Sequence, residues 1–247
     1  MTLLIAMFLF IASCDDLSLD QPEVDTNAAA DNAITTRAVG DVFTAVDNSL
    51  STAKVAVACP TVTIEPGLLT INFGNGCKGV DGVTRTGIIT ASLTGMGVGG
   101  WANDASAVVS FNNYTIDGKI LTGVITITCK IVNQVKSFTI TGTDMALTFI
   151  DESVITWNST SLMTLVQGGA PGYWSITGFS NGMSRKNIEF TSSSTNLLTD
   201  PTCKWFVGGT LTITVDVNKD ELTFGECGIV EIKRNDFPKI TVNLNNI

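Results

Sequence analysis

Carboxylates and thiols are the main side chains of this sequence that could do chemistry, because it has six cysteines, 23 acidic residues and no histidine. Without histidine the usual general base and the Ser-His-Asp and Cys-His nucleophile systems are excluded. Asp151 and Glu152 are adjacent, but neighbours on a strand point to opposite faces, so we interpret them as part of a solvated turn. A glycosidase pair contributed by distant strands is an open alternative. We expect a protein that is not an enzyme, with no catalytic residue, no metal and no cofactor.

The thiol of Cys14 lies in a context that predicts its modification. An apolar run over residues 3–10 leads into Ile11-Ala12-Ser13-Cys14. Residues 1–13 are too short to cross a bilayer as a helix, which needs about 20 apolar residues, and they match the apolar part of a signal peptide. No Lys or Arg precedes Arg37, so we expect the true start to lie upstream or the chain to be clipped.

The segment Ile11-Ala12-Ser13-Cys14 resembles the lipobox of bacterial lipoproteins, in which aliphatic and then small residues precede the cysteine. The resemblance implies cleavage before Cys14 and a diacylglycerol on its sulfur. Acyl chains contribute about 0.8 kcal/mol per buried CH₂, enough to anchor the protein in the outer membrane without a transmembrane helix. Asp15-Asp16 resembles the surface-export signal of Bacteroidota lipoproteins, so we expect a surface-exposed or periplasmic protein. The alternative is a buried N-terminal strand with an incidental cysteine.

Acidic residues are concentrated directly after Cys14. Between Cys14 and Leu50, eight acidic residues stand against Arg37 alone, a net charge of −7 out of −9 for the whole chain. Low hydrophobicity with like charges favours a disordered, extended segment, and we assign residues 14–34 to a tether. Because nucleic acid requires a basic face, we expect no nucleic-acid partner.

The rest of the sequence predicts one β domain over residues 51–247. Isoleucines and Cys129 alternate with Thr and Lys along residues 124–131, which is the period of a half-buried strand. Turn pairs separate such segments at Pro66-Gly67, Asp81-Gly82, Asp117-Gly118 and Asn218-Lys219. We predict an all-β fold of ten or more strands, an antiparallel meander forming a two-layer sandwich or a curved open barrel, with one short N-terminal helix.

That helix is predicted over residues 35–50. Val39, Val42, Phe43 and Val46 recur at helical spacing, with polar residues on the other side. We interpret it as a packing helix that could cover an open end or edge of the sheet, which would otherwise invite aggregation.

The remaining cysteines suggest two disulfides in an exported protein. The predicted pairs are Cys59 with Cys77 and Cys203 with Cys227, each pair flanking one predicted hairpin. Closing a loop of the first size contributes about 3 kcal/mol in the chain-entropy model. The second pair fits its expected register less well and requires a bend at Gly208-Gly209. Cys129 lies among isoleucines and is expected to be a buried free thiol.

Trp101 is the tryptophan that we expect to be exposed and to bind a ligand. It follows the glycine-rich segment 95–100, which no helix follows, so this segment predicts a flexible loop rather than a phosphate site. Stacking of sugars on tryptophan is one interpretation, and filling of the core is the other, favoured for the remaining three tryptophans.

Five phrases in order resemble a group of uncharacterised secreted lipoproteins of Bacteroidota. They are Phe73-Gly74-Asn75-Gly76-Cys77, Asp81-Gly82-Val83-Thr84-Arg85-Thr86-Gly87, Phe111-Asn112-Asn113-Tyr114, Ile155-Thr156-Trp157-Asn158-Ser159-Thr160 and Cys203-Lys204-Trp205. The resemblance extends from about Cys59 to the C-terminus. It implies an extracytoplasmic location and a β-rich architecture, and it implies no activity.

The sequence therefore predicts a lipid-anchored, non-enzymatic binding or interaction module with a glycan or protein partner. The alternative is a carrier whose curved sheet encloses an apolar ligand, because hollow sheets bind such molecules when side chains do not fill them.

Overall fold

A computed structural model describes residues 26–51, 59–166 and 172–246. The predicted signal peptide, Cys14 and the first part of the tether lie outside these residues. The described chain contains one α-helix, α1 (Thr26–Leu50), and a final short 3-10 helix, Leu244–Asn246. The strands are β1 (Thr61–Glu65), β2 (Leu68–Lys78), β3 (Thr84–Thr94), β4 (Ser106–Ile116), β5 (Lys119–Val132), β6 (Val135–Thr148), β7 (Val154–Leu165), β8 (Trp174–Met183), β9 (Glu189–Thr199), β10 (Phe206–Val215), β11 (Asn218–Phe224), β12 (Ile229–Arg234) and β13 (Ile240–Asn243).

The strands form a single antiparallel sheet in which spatial order follows chain order. Among the described residues β1 and β13 do not pair, so the sheet is open. The predicted antiparallel meander is confirmed. The alternation of buried and more exposed residues is clear in β5. Leu121, Ile125, Ile127 and Cys129 are fully buried there, and the residues between them are more exposed.

Helix α1 fills the interior of this sheet. It contacts β2, β6 and β10, which lie far apart in the strand order, so the sheet must curve around it. Val42, Phe43 and Val46 have no exposed surface. The helix therefore lies in the core, rather than covering an end or an edge, and the sheet encloses a packed interior along this helix.

The predicted start of the helix at residue 35 is wrong, because α1 begins at Thr26. Residues 26–34 were assigned to the tether because all of them except Ile34 are polar or small. Ala29, Ala30 and Ala33 are nevertheless buried, since small side chains let the helix approach the sheet closely. The boundary between tether and domain accordingly moves to residue 26. Within the described part of the chain, no helix is both long enough and apolar enough to cross a membrane.

Hairpin turns follow the predicted turn pairs in three of four places. Asp117 and Gly118 both have positive φ, 47° and 75°, as a tight hairpin turn requires. The turn predicted at Asn218-Lys219 is wrong. Val215 opposes Asn218, so Asp216 and Val217 form the turn, and Asp216 takes the positive φ of 52° that aspartate tolerates.

Candidate functional site

A cleft of about 430 Å³ opens beside the first turns of α1. We call it the N-terminal cleft, and it is lined by residues of α1, β9, β10, β11 and β12 and of the β6–β7 and β8–β9 connections. In a meander every second connection lies at the same end of the sheet, so these segments gather without long loops. Its most informative lining residues are Asp31, Asn32, Arg185, Phe190, Ile213 and Arg234.

Arg185 is fixed at the rim of the cleft by three contacts. Its Nε lies 2.6 Å from Oδ2 of Asp31, and its Nη1 lies 3.8 Å from Oδ2 of Asp151. Its guanidinium also lies 4.2 Å from the centroid of the Phe149 ring, within the range of a cation–π contact. Hydrogen bonds from Ser153, with a smaller contribution from the charge of Arg185, lower the pKa of Asp151. The rim carboxylate is therefore held in its ionised form.

A second guanidinium in the cleft is held by a bidentate ion pair. Arg234 donates from Nε to Oδ1 of Asp220 at 2.7 Å and from Nη2 to Oδ2 at 2.6 Å. Such fork-to-fork pairs fix both side chains in one orientation. Together with Arg185, this pair gives the cleft polar groups that are positioned before any ligand arrives.

Asn32 lines the cleft, and its side chain holds a buried acceptor atom that has no partner among the described residues. Only 2% of the residue is exposed. Its Nδ2 donates to the carbonyl oxygen of Ala28 at 3.0 Å, which fixes the orientation of the amide. No donor in the described residues reaches its Oδ1. Leaving a buried polar group unpaired costs about 1–3 kcal/mol.

Deeper along α1 the cleft is followed by a small gap lined by hydroxyl groups. This hydroxyl pocket is formed by Thr35, Thr36, Ser159, Ser180, Ser192 and Ser194. Its volume of about 10 Å³ is close to the minimum that holds a water molecule. Ser180 and Ser192 share a hydrogen bond of 2.6 Å, and Oγ of Ser159 has no partner among the described residues. The polar character of the cleft thus continues into the core.

A buried charge cluster joins α1 to the sheet elsewhere. Asp41 lies 3.1 Å from Nε of Arg37 and 3.1 Å from Nη2 of Arg85, which also lies 2.7 Å from Asp81. Arg37 donates to the carbonyl oxygen of Cys203 at 3.3 Å. Burial opposes ionisation of Asp81, but the hydrogen bond and charge of Arg85 outweigh it and lower its pKa. The cluster lines neither pocket described above, and we assign it to positioning the helix.

Trp101 is not exposed, and that expectation is wrong. Only 7% of the residue is accessible, and its ring centroid lies 5.3 Å from that of Phe138. Its Nε1 donates to Oδ1 of Asp47 on α1 at 3.0 Å. The loop packs its indole inward because β6 supplies an apolar neighbour and the end of α1 supplies an acceptor. A buried indole offers no face on which a sugar could stack.

The predicted cysteine pairs lie at disulfide distance. Cα–Cα separations are 5.7 Å for Cys59 with Cys77 and 5.9 Å for Cys203 with Cys227. Cys129 is a free thiol and is buried, as predicted. Cys14 is not among the described residues. Within 26–51, 59–166 and 172–246, no three His, Cys, Asp or Glu side chains are grouped to hold a metal ion.

Sequence reasoning missed the residues that build the cleft. Asn32 was assigned to the tether, although alanines at 29, 30, 33 and 38 continue the helical spacing of the apolar residues. Arg185 carried no recognisable motif, since its partner Asp31 lies 154 positions away. Arg234 faces its partner Asp220 across the paired strands β11 and β12, a pairing that depends on the exact register of the hairpin. Asp151 lies in an exposed turn as expected, but its proximity to Arg185 was not foreseen.

The chain matches no protein-family model, no curated protein and no solved structure.

Proposed function

We propose that this protein is a lipid-anchored, non-enzymatic lipoprotein of the cell envelope whose β domain binds a small ligand in the N-terminal cleft. The observation that carries the proposal is the cleft itself, which has a volume of about 430 Å³ and is lined by apolar residues together with guanidinium groups held by carboxylates. That volume lies within the range of small-molecule sites, which combine apolar walls with a few positioned polar groups. Ile213 and Phe190 supply apolar wall, and Arg185 and Arg234 supply positioned polar groups.

The carboxylates of the cleft favour binding over proton transfer. Asp31 and Asp151 face Arg185, and Asp220 is paired with Arg234. A general acid at neutral pH needs a raised pKa, whereas the pKa of Asp151 is lowered. These acids therefore act as fixed acceptors and as anchors for the guanidinium groups.

The proposed location is the outer membrane, on the cell surface or facing the periplasm. Support comes from the lipobox-like segment before Cys14 and from the cysteine pairs at disulfide distance, which suit an oxidising compartment. The cysteine that carries the anchor would be Cys14.

Palmitate labelling tests the anchor. Cells expressing the full chain are fed radiolabelled palmitate, beside Cys14→Ser and the matched control Cys129→Ser. We expect label in the wild type and in Cys129→Ser and none in Cys14→Ser. An unlabelled wild-type chain that stays soluble inside the cell would refute the proposed anchor.

A cleft-filling substitution tests the binding site. Val215 lines the cleft, whereas Val217 lies in the adjacent turn and is 87% exposed. Ligand-observed NMR with a library of small polar fragments would compare the unlipidated Cys14→Ser chain with its Val215→Trp and Val217→Trp derivatives. We expect fragments whose binding is lost in Val215→Trp and kept in Val217→Trp. A library in which every hit binds all three proteins equally would exclude the cleft as the site.

A further inference from the structure

One end of the sheet carries exposed aliphatic side chains on several of its turns. The β2–β3, β6–β7, β8–β9 and β10–β11 connections lie at this end, because alternate connections of a meander share an end. They contain Val80, Ile150, Ile188 and Val217, which we call the apolar rim. Val80, Ile150 and Val217 are 81%, 81% and 87% exposed. Single exposed aliphatic residues are common on soluble proteins, but here they recur on four turns of one end.

The turns of this end touch one another, so the apolar rim belongs to one connected surface. Thr84, at the start of β3, donates its backbone N–H to Oδ1 of Asp117 in the β4–β5 turn at 2.9 Å. A β-carbon built on Gly118 in that turn would lie 3.5 Å from Cδ1 of Ile150 in the next connection. The β6–β7 and β8–β9 connections meet through the cation–π contact of Phe149 with Arg185. The β8–β9 and β10–β11 turns both border the N-terminal cleft.

The helix that follows the tether begins at the same end. Asp31, in the second turn of α1, lies 2.6 Å from Arg185 of the β8–β9 connection, and Asn27 lines the cleft beside it. Cys14 precedes Thr26 by twelve residues, and twelve residues span at most about 40 Å of extended chain. A lipid on Cys14 would therefore hold the start of α1, and the apolar rim with it, within this distance of a bilayer.

The charges at this end bear on the kind of bilayer. The six connections of this end contain six acidic residues and three basic ones. Residues 15–25 of the tether add five acidic residues and no basic one. An anionic lipid surface attracts basic segments and repels acidic ones. A surface of zwitterionic phospholipid fits this end better, with contact made by burying aliphatic side chains rather than by pairing charges.

Resting on the proposed lipid anchor, we propose that the apolar rim docks onto a bilayer of zwitterionic phospholipid, with Val80, Ile150 and Val217 inserted at the boundary between headgroups and acyl chains. The acyl chains on Cys14 supply the affinity for the membrane, and the apolar rim fixes the orientation of the domain. The N-terminal cleft borders the rim, so docking brings it to the headgroup layer.

Site-directed fluorescence on the lipidated chain tests this docking. Cys129→Ala removes the buried free thiol, and a cysteine introduced as Val217→Cys or Ile150→Cys carries a nitrobenzoxadiazole label. The protein is reconstituted into phosphatidylcholine vesicles with and without brominated acyl chains. We expect emission from both positions to shift to shorter wavelength and to lose intensity with the brominated lipid.

The matched controls are Val132→Cys and Val135→Cys, on the β5–β6 hairpin at the opposite end. These two valines are 64% and 65% exposed, and labels there should stay in water and keep their intensity. In the labelled Val217→Cys chain, Ile150→Glu should reduce the quenching by brominated lipid, because it places a charge in the apolar rim. Val135→Glu in the same chain should leave the quenching unchanged. Circular dichroism confirms that each variant is folded.

The outcomes separate this proposal from the proposed anchor. A chain that takes up palmitate and stays on the vesicles, but with labels at both ends in water, would overturn the docking and keep the anchor. Quenching as strong at Val132 as at Val217 would also overturn the docking. A shift to shorter wavelength without quenching would mean contact with another copy of the protein instead of lipid. A chain that takes up no palmitate would overturn the anchor and the docking together.

Discussion

Replacing Phe43 with alanine tests whether α1 is the centre of the core. The Phe43 side chain has no exposed surface. Its ring centroid lies 4.8 Å from that of Phe138 in β6 and 4.9 Å from that of Trp174 in β8. One side chain of the helix therefore joins two strands that do not pair with each other.

The expected cost follows from this burial. Truncating a buried phenylalanine to alanine costs about 3–5 kcal/mol, and an aromatic pair adds about 0.5–1.5 kcal/mol beyond its buried area. With two ring contacts and no exposed area, we expect Phe43→Ala to lower the free energy of unfolding by about 4–5 kcal/mol. For a domain of this size the melting temperature should fall by about 10 °C or more.

Urea denaturation followed by tryptophan fluorescence and far-UV circular dichroism measures this effect. The matched control is Phe179→Ala, because Phe179 is 52% exposed, and it should cost less than about 1 kcal/mol. Equal losses in the two variants, or a loss below about 1 kcal/mol for Phe43→Ala, would mean that the helix is not packed inside the sheet.

Two further predictions concern the ends of the helix and the hairpins. Burial raises the pKa of Asp47 above its ordinary value of 3.8, so its contribution to stability is present at low pH and is lost as pH rises through the raised pKa. Asp47→Asn keeps an acceptor for Trp101, and its stability relative to the wild type should rise between about pH 4 and pH 7. Urea denaturation midpoints of the two proteins at both pH values measure this change. A difference between the two midpoints that is the same at both pH values would contradict the prediction. Replacing Cys59 and Cys77 together by alanine should lower the free energy of unfolding by about 3 kcal/mol, because the disulfide closes a loop of 18 residues. Calorimetry measures this loss, with Cys129→Ala as the control. A double variant as stable as the disulfide-bonded protein would contradict the pairing.

Strand patterns were predictable because burial on one face imposes a period of two. The alternation in β5 and the Asp117-Gly118 turn both follow directly from residue type. The turn between β10 and β11 was misplaced by two residues, because Asp216-Val217 lacks the glycine that marks other turns while Asn218-Lys219 has the more familiar composition.

The extent of α1 was less predictable. Asp31 and Asn32 look like tether residues, although both are buried, and Asp31 pairs with Arg185, which lies more than 150 positions away. The cleft was not predictable for the same reason, because its Arg185–Asp31 ion pair joins segments that only the curvature of the sheet brings together, although Asp220 and Arg234 face each other on the paired strands β11 and β12. Trp101 was misjudged because its acceptor, Asp47, lies on a helix and its neighbouring ring lies on β6.

The strand order has a consequence for how the molecule assembles. Each strand pairs only with its neighbours in the chain. Hairpins can therefore form from local contacts, which takes microseconds for an isolated hairpin. The strands β2, β6 and β10 contact α1, however, and β2 and β10 are separated by more than a hundred residues of chain. Closing such distant contacts carries the larger entropic barrier. We therefore expect the hairpins of the sheet to form early in folding. The sheet then packs around α1, the helix that precedes every strand in the chain, in a later step.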